Sequence, residues 1–146
     1  MDDNEYLSDR LEDQIRWYSK KSQYNQKYYK RLRLTEIVSA AVIPFLAGMQ
    51  DFSYSKLIIG ILGVVIAISA AASSLYKFQE NWIQYRTTAE TLKHEKYLYL
   101  TKSPPYDGEA PLKALVERIE SLISKENTQW ASSTNKSSDE PPEDKP

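Results

Sequence analysis

Residues 57–75, LIIGILGVVIAISAAASSL, form a run without one charged side chain, and no other feature of the chain limits its possible folds so tightly. About 20 apolar residues in helical form cross the hydrocarbon core of a bilayer, where each backbone amide must be paired inside its own segment. The run therefore reads as a transmembrane helix. A second apolar stretch, residues 37–49, lies just upstream, and the connector at 50–56 is short enough to demand an antiparallel hairpin. A mean hydropathy of -0.58 would pass for a soluble protein, but only because charged flanks dilute the two spans.

Orientation follows from charge. Between residues 16 and 33 stand Arg16, Lys20, Lys21, Lys27, Lys30, Arg31 and Arg33, with no acid among them. Lys77, Arg86, Lys93 and Lys96 follow the second span, whereas the hairpin loop sets Lys56 against Asp51. Basic flanks stay on the cytoplasmic side, so both termini are expected there, in a multi-pass protein of the inner (plasma) membrane. The acidic, polar start of the chain lacks the basic-then-apolar order of a signal peptide, so the first span reads as uncleaved. Lys27, Lys30, Arg31 and Arg33, interleaved with Tyr24, Tyr28 and Tyr29, suit anionic lipid head groups. Nucleic acid is not an expected partner, because no reader motif accompanies the charge.

The polar flanks carry helical periodicity. Leu11, Ile15, Tyr18, Ser22, Asn25, Tyr29 and Leu32 recur at spacings of four and three, and the next step in that register is Glu36. No Pro or Gly interrupts residues 5–43, so one helix is expected to run from the cytoplasm into the first span. After the second span, Leu75, Phe78, Trp82, Tyr85, Ala89 and Leu92 repeat the pattern. Pro104, Pro105 and Gly108 break that helix. From Pro111, a favoured first-turn residue, Leu112, Leu115, Ile119 and Leu122 form a third amphipathic stripe.

The expected fold is all-α: a two-helix transmembrane hairpin whose helices extend into a cytoplasmic bundle with a third, C-terminal helix. One domain spans residues 5–130. It comprises a cytoplasmic helix (5–33), a first span (34–50), an external loop (51–56), a second span (57–76), a helical extension (77–103) and a C-terminal helix (110–130). Residues 131–146, acidic and without apolar content to bury, are expected to be disordered.

Function is sought in the spans. Gly63, Ala67 and Ala71 fall four apart on one face of the second span, and Gly60 extends it. Such faces let helices approach closely in lipid, with serines as polar glue. The face serves either the seam inside one chain or contacts between copies, while Ser69 and Ser73 offer a polar strip for a wetted path. An ionised Glu36 at the inner end of the first span needs protein, water or a cation beside it. It is either an interface residue paired with Arg33 or one member of a ring at the inner mouth of a pore. Asp51 is either a turn residue or the outer ring.

Catalysis finds no support. The single His, His94, has no second His or Cys beside it, and neither a phosphate loop nor a metal-binding doublet is present. No enzyme activity, cofactor or metal is expected. Glu90 and Glu95 lie among lysines and read as bundle salt bridges.

Three elements carry a family resemblance: Trp17 and Tyr18 with the basic run after them, Ile43-Pro44 in the first span, and W-x-x-Y-R-x-x-x-E-x-L-K-x-E from Trp82 to Glu95. Over residues 5–130 the chain resembles the SLATT superfamily of bacterial two-transmembrane proteins. That resemblance implies a small helical effector that oligomerises into a membrane pore, often beside nucleotide-signalling conflict systems. Two helices cannot enclose a water-filled path, so conduction requires several copies. The expected function is a homo-oligomeric, cation-permeable pore, its partners being itself, membrane lipids, cations and a separate nucleotide-sensing or regulatory protein. The alternative is a non-conducting membrane-anchored scaffold, adaptor or effector in such a signalling system.

Overall fold

The structure, a computed structural model, describes residues 2–49 and 53–136. Among these residues all regular structure is helical. A short α1 (Asp3–Glu5) leads through a π-helical turn (Tyr6–Leu11) into α2 (Glu12–Gly48). Then come α3 (Ser55–Tyr76), α4 (Phe78–Leu100) and α5 (Pro111–Lys136).

The first turn is closed by Asp2. Its carboxylate accepts from the Asp3 amide at 2.7 Å while Glu5 reaches back to the Asp2 amide at 3.3 Å, which satisfies donors a helix start leaves orphaned. The wide π turn that follows brings residues five apart into line. Tyr6 and Leu11 are both buried for that reason, at 5% and 0% exposure.

The chain divides into two compact units, Trp17–Thr87 and Met1–Arg16 with Thr88–Pro146. In the Trp17–Thr87 unit, α2 presents one continuous inner face: Tyr18, Ser22, Asn25 and Ser39 are buried, and Tyr29, Leu32, Glu36, Ile43 and Leu46 half-buried. The three-four register expected up to Glu36 thus runs through it and beyond Pro44, which sits inside the helix. Aromatic rings tie α2 to α4. Trp17 meets Tyr85 edge-on at 5.8 Å, Tyr29 stacks on Trp82 at 6.1 Å and Tyr28 on Phe78 at 5.6 Å. Each such pair contributes about 0.5–1.5 kcal/mol beyond its buried area.

α3 and α4 run from Ser55 to Leu100 with only Lys77 between them, and this stretch is, among the described residues, the one helix long and apolar enough to cross a membrane. Its most apolar window has a mean hydropathy of 2.4 and is only 6% buried. The apolar part of α2 is shorter, and Arg33 and Glu36 stand at its base. Where uninterrupted continuation was expected, Lys77 takes the left-handed conformation (φ 48°, ψ 41°) and ends α3. Its amide donates to the Ser73 carbonyl at 3.1 Å, and the Asn81 side chain donates to the Tyr76 carbonyl, also at 3.1 Å. These bonds occupy carbonyls that a helix end leaves open.

In the other unit Leu11, Leu92, Leu115 and Ile119 are wholly buried, with Tyr6, Ala89, Tyr106 and Ile123 around them. Burying each large aliphatic side chain contributes about 2 kcal/mol. α4 stops at Leu100 in a Schellman closure: the Ser103 amide donates to Leu98 at 3.0 Å and the Lys102 amide to Tyr99 at 3.1 Å, with Lys102 left-handed at φ 51°. α5 begins at Pro111, as its ring geometry favours, and continues to Lys136 rather than ending near Trp130. The expected disordered tail otherwise lies outside the described residues, as does Asp51.

Candidate functional site

A cleft of about 500 Å³ opens in the Trp17–Thr87 unit where α2, α3 and α4 come together. α2 contributes Tyr29, Arg33 and Glu36; the end of α3 contributes Ala70, Ser73 and Ser74; Lys77, Gln79 and Glu80 complete it. The left-handed Lys77 ends α3 within the cleft, and Gln79 and Glu80 of α4 line it together with residues of α2. Arg33 donates through Nη1 to Glu36 Oε2 at 2.9 Å. The Glu36 side chain is only 13% exposed and that of Arg33 62%, so the acid is enclosed and its cation stands exposed at the cleft rim.

Two residues expected to matter for conduction, Glu36 and Ser73, share this cleft. Ser69, one turn further along α3, is 5% exposed within the single chain and so is covered by its own unit. The small-residue face lies on the opposite side of α3. Gly60, Gly63, Ala67 and Ala71 are exposed, whereas the inner side of α3 carries Leu62, Val65, Ser69 and Ala72. A Cβ built on Gly60 or Gly63 would meet nothing within 4 Å. Lys27, Lys30, Arg31 and Arg33 are exposed along α2.

Sequence reasoning missed the part of the cleft supplied after the break. Lys77 and Glu80 had no motif to mark them, and a left-handed lysine carries no signal of the kind Gly provides.

The unit formed by the two chain ends holds a polar cluster of a different kind. Glu95, 4% exposed, accepts from Arg118 Nε at 3.0 Å and Nη2 at 2.6 Å and from the Tyr106 hydroxyl. Arg118 holds the Glu95 carboxyl below its usual range against the opposing effect of burial. Burial first, then the Glu95 carboxylate, pushes the Tyr106 hydroxyl up. Arg10 binds Glu120 through two bonds of 3.0 Å and lowers that carboxyl likewise. Burial and the Glu120 charge push Tyr6 up to about 12. Glu90 pairs with Lys93 at 3.0 Å, and Glu12 with Lys96. These are the bundle salt bridges expected for Glu90 and Glu95, although Glu95 finds its partner on α5 rather than among neighbouring lysines. Among the described residues no cluster of His, Cys, Asp and Glu could hold a metal.

Compared with known proteins, residues 13–113 match the model of a family described as a protein of unknown function, DUF4231. No curated protein and no solved structure matches the chain.

Proposed function

The chain belongs to the DUF4231 family, and since that description assigns no activity, we propose from the geometry that the protein is a multi-pass membrane protein assembling into a homo-oligomeric, cation-permeable pore. The observation that carries this reading is the uncovered small-residue face of α3. The face left open, Gly60, Gly63, Ala67 and Ala71, is the one best shaped for close helix contact. In a bilayer a second copy fills that role, and several copies around an axis enclose the path that one hairpin cannot. The first span is completed by residues 37–49 of α2, and the basic flanks hold both termini inside the plasma membrane. Ser69 then acts as glue within the hairpin, while Glu36 and Ser73 stand in the cleft at its inner mouth. The resemblance to the SLATT superfamily points the same way and adds a separate nucleotide-sensing or regulatory protein as the source of control.

The full chain reconstituted in liposomes tests this directly. It contains no cysteine, so a single Ala67→Cys variant reports contacts of that face alone. Oxidative cross-linking between copies, cation flux from the vesicles and unitary currents in planar bilayers are the expected results. A strict monomer in lipid with neither flux nor current overturns the pore and leaves the anchored adaptor.

A further inference from the structure

The cleft below α3 combines charges in a way the pore does not require. Arg33 and Glu36, three apart on α2, are paired along one wall, Glu36 through Oε2. Lys77 and Glu80, both exposed at its rim, make no ion pair among the described residues. The cleft therefore offers two cations and two carboxylates, one of each already paired, and is lined also by Ser73 and Ser74. Its volume of about 500 Å³ falls within the roughly 300–1,000 Å³ of pockets that hold small organic ligands. It also sits at the end of the apolar helix, beside Leu75 and Tyr76, which are 77% and 62% exposed.

We infer that this cleft seats the head group of a zwitterionic phospholipid that carries a primary ammonium, with its phosphate on Lys77 and Arg33 and its ammonium on Glu36 and Glu80. A purely anionic head group would leave both carboxylates facing a like charge. A quaternary ammonium has no N–H to give them, and quaternary cations are held in aromatic cages, whereas Tyr29 is the one ring lining this cleft and is stacked on Trp82. A primary ammonium donates three hydrogen bonds and fits. The acyl chains then lie along the exposed apolar side of α3, which makes a lipid rather than a free phosphoester the occupant. This inference rests on the membrane reading of α3; it shares Glu36 with the proposed pore mouth, and its test reads lipid retention rather than current.

The test uses the full chain in vesicles of equal phosphatidylethanolamine, phosphatidylcholine and phosphatidylglycerol, followed by native mass spectrometry of the lipids retained after gentle extraction. Phosphatidylethanolamine should be enriched over the other two. Lys77→Gly keeps the left-handed backbone while removing the ammonium, and should lower that retention about fivefold, the effect of roughly one interfacial cation. Lys125→Gln, at an exposed position of α5, should change nothing. Glu80→Gln, at an exposed helical position, should abolish the preference for phosphatidylethanolamine over phosphatidylglycerol and serves if Lys77→Gly fails to insert. Equal retention of the three lipids, enrichment of phosphatidylglycerol, or displacement by soluble glycerophosphoethanolamine overturns the inference. Failure of the wild-type chain to resist alkaline extraction from vesicles would instead remove the membrane reading beneath it.

Discussion

Arg118 grips both oxygens of Glu95, Nε to Oε2 at 3.0 Å and Nη2 to Oε1 at 2.6 Å. The carboxylate is 4% exposed and the arginine side chain 51%, so the pair is buried at its acidic end only. Replacing Arg118 by Met leaves a buried carboxylate with Tyr106 as its remaining partner. Fully buried pairs lose about 3–5 kcal/mol when one partner is removed. Because solvent screens this arginine, a loss of about 2 kcal/mol is expected. Tyr106→Phe, which removes one hydrogen bond, should cost about 1 kcal/mol. Denaturant titration of the purified chain followed by circular dichroism checks both, and a wild-type midpoint for Arg118→Met would show the pair to be energetically idle.

The same cluster sets an acid limit. Arg118 lowers the folded-state pKa of Glu95, and Arg10 lowers that of Glu120. A carboxyl with a depressed folded value contributes stability that is present above its unfolded value, about 4.3, and is lost as pH falls through the folded one. Helical signal should therefore be steady at neutral pH and fall on acidification below about pH 4. Glu95→Gln should flatten that limb while lowering stability at pH 7; an unaltered acid limb would assign the transition to other groups.

At the alkaline end the sign reverses. Burial, with the Glu120 charge, raises Tyr6 to about 12, and the bond to Asp3 raises Tyr99 to about 12. Their contribution is complete below the ordinary tyrosine value of about 10 and is lost as pH rises through the folded one. Absorbance titration near 295 nm should find a late component to which Tyr6, Tyr99 and Tyr106 contribute, and Tyr6→Phe should reduce it by the share of one tyrosine. A titration complete by about pH 11.5, with no later component lost in Tyr6→Phe, contradicts the burial of Tyr6.

How much of this was legible beforehand depended on whether a feature was local. The stripe from Leu11 through Tyr18, Asn25 and Leu32 to Glu36 could be read because helical register is a property of neighbours in sequence, and Pro111 marked the start of α5 for the same reason. Ser73 and Glu36 were both marked as candidates, but their sharing one cleft depends on how α2 packs against α3, and the rest of its lining follows the break at Lys77, where neither Gly nor Pro announces a turn. Tyr6 and Leu11 stand five apart, a spacing that an α-helical template rejects and only the π turn reconciles. The pairing of Glu95 with Arg118 joins separate helices and depends on tertiary packing, so acid and base spacing along one helix pointed to the wrong cations.

The helix closure at Lys102 can be improved without touching any proposed function. Its φ of 51° lies where a Cβ is strained, and its amide and that of Ser103 complete a Schellman closure that favours Gly at this point. Lys102→Gly should raise stability by about 0.5–1 kcal/mol, read as a higher denaturation midpoint. A lower midpoint would mean that the lysine side chain supplies something the backbone geometry does not reveal.

The outward face of α3 separates packing within a chain from packing between copies. Nothing lies within 4 Å of a Cβ placed on Gly63, so Gly63→Ala should preserve the fold and gain up to about 1 kcal/mol from helix propensity. Gly63→Leu keeps the fold but holds two helices apart, and oligomers in mild detergent should dissociate. Light scattering after size exclusion measures both. A Gly63→Leu chain that assembles like the wild type moves the interface away from this face.

Glu36 offers the sharpest division between a structural and a conductive role. Its salt bridge with Arg33 spans one helical turn, and its side chain is 13% exposed at the edge of the cleft. If the acid only neutralises Arg33, then Glu36→Gln weakens the fold and the double variant Arg33→Gln with Glu36→Gln restores it, with ion selectivity unchanged throughout. If it stands at the inner mouth of a pore, both variants lose attraction for a passing cation. A carboxylate about 4 Å away in a wet mouth supplies about 1 kcal/mol, so cation preference should fall roughly fivefold. Reversal potentials under a salt gradient report that change and are insensitive to how many channels fold. A preference lost in both variants assigns Glu36 to the conduction path; a preference kept in both removes the acidic mouth while leaving the pore itself to stand on its currents.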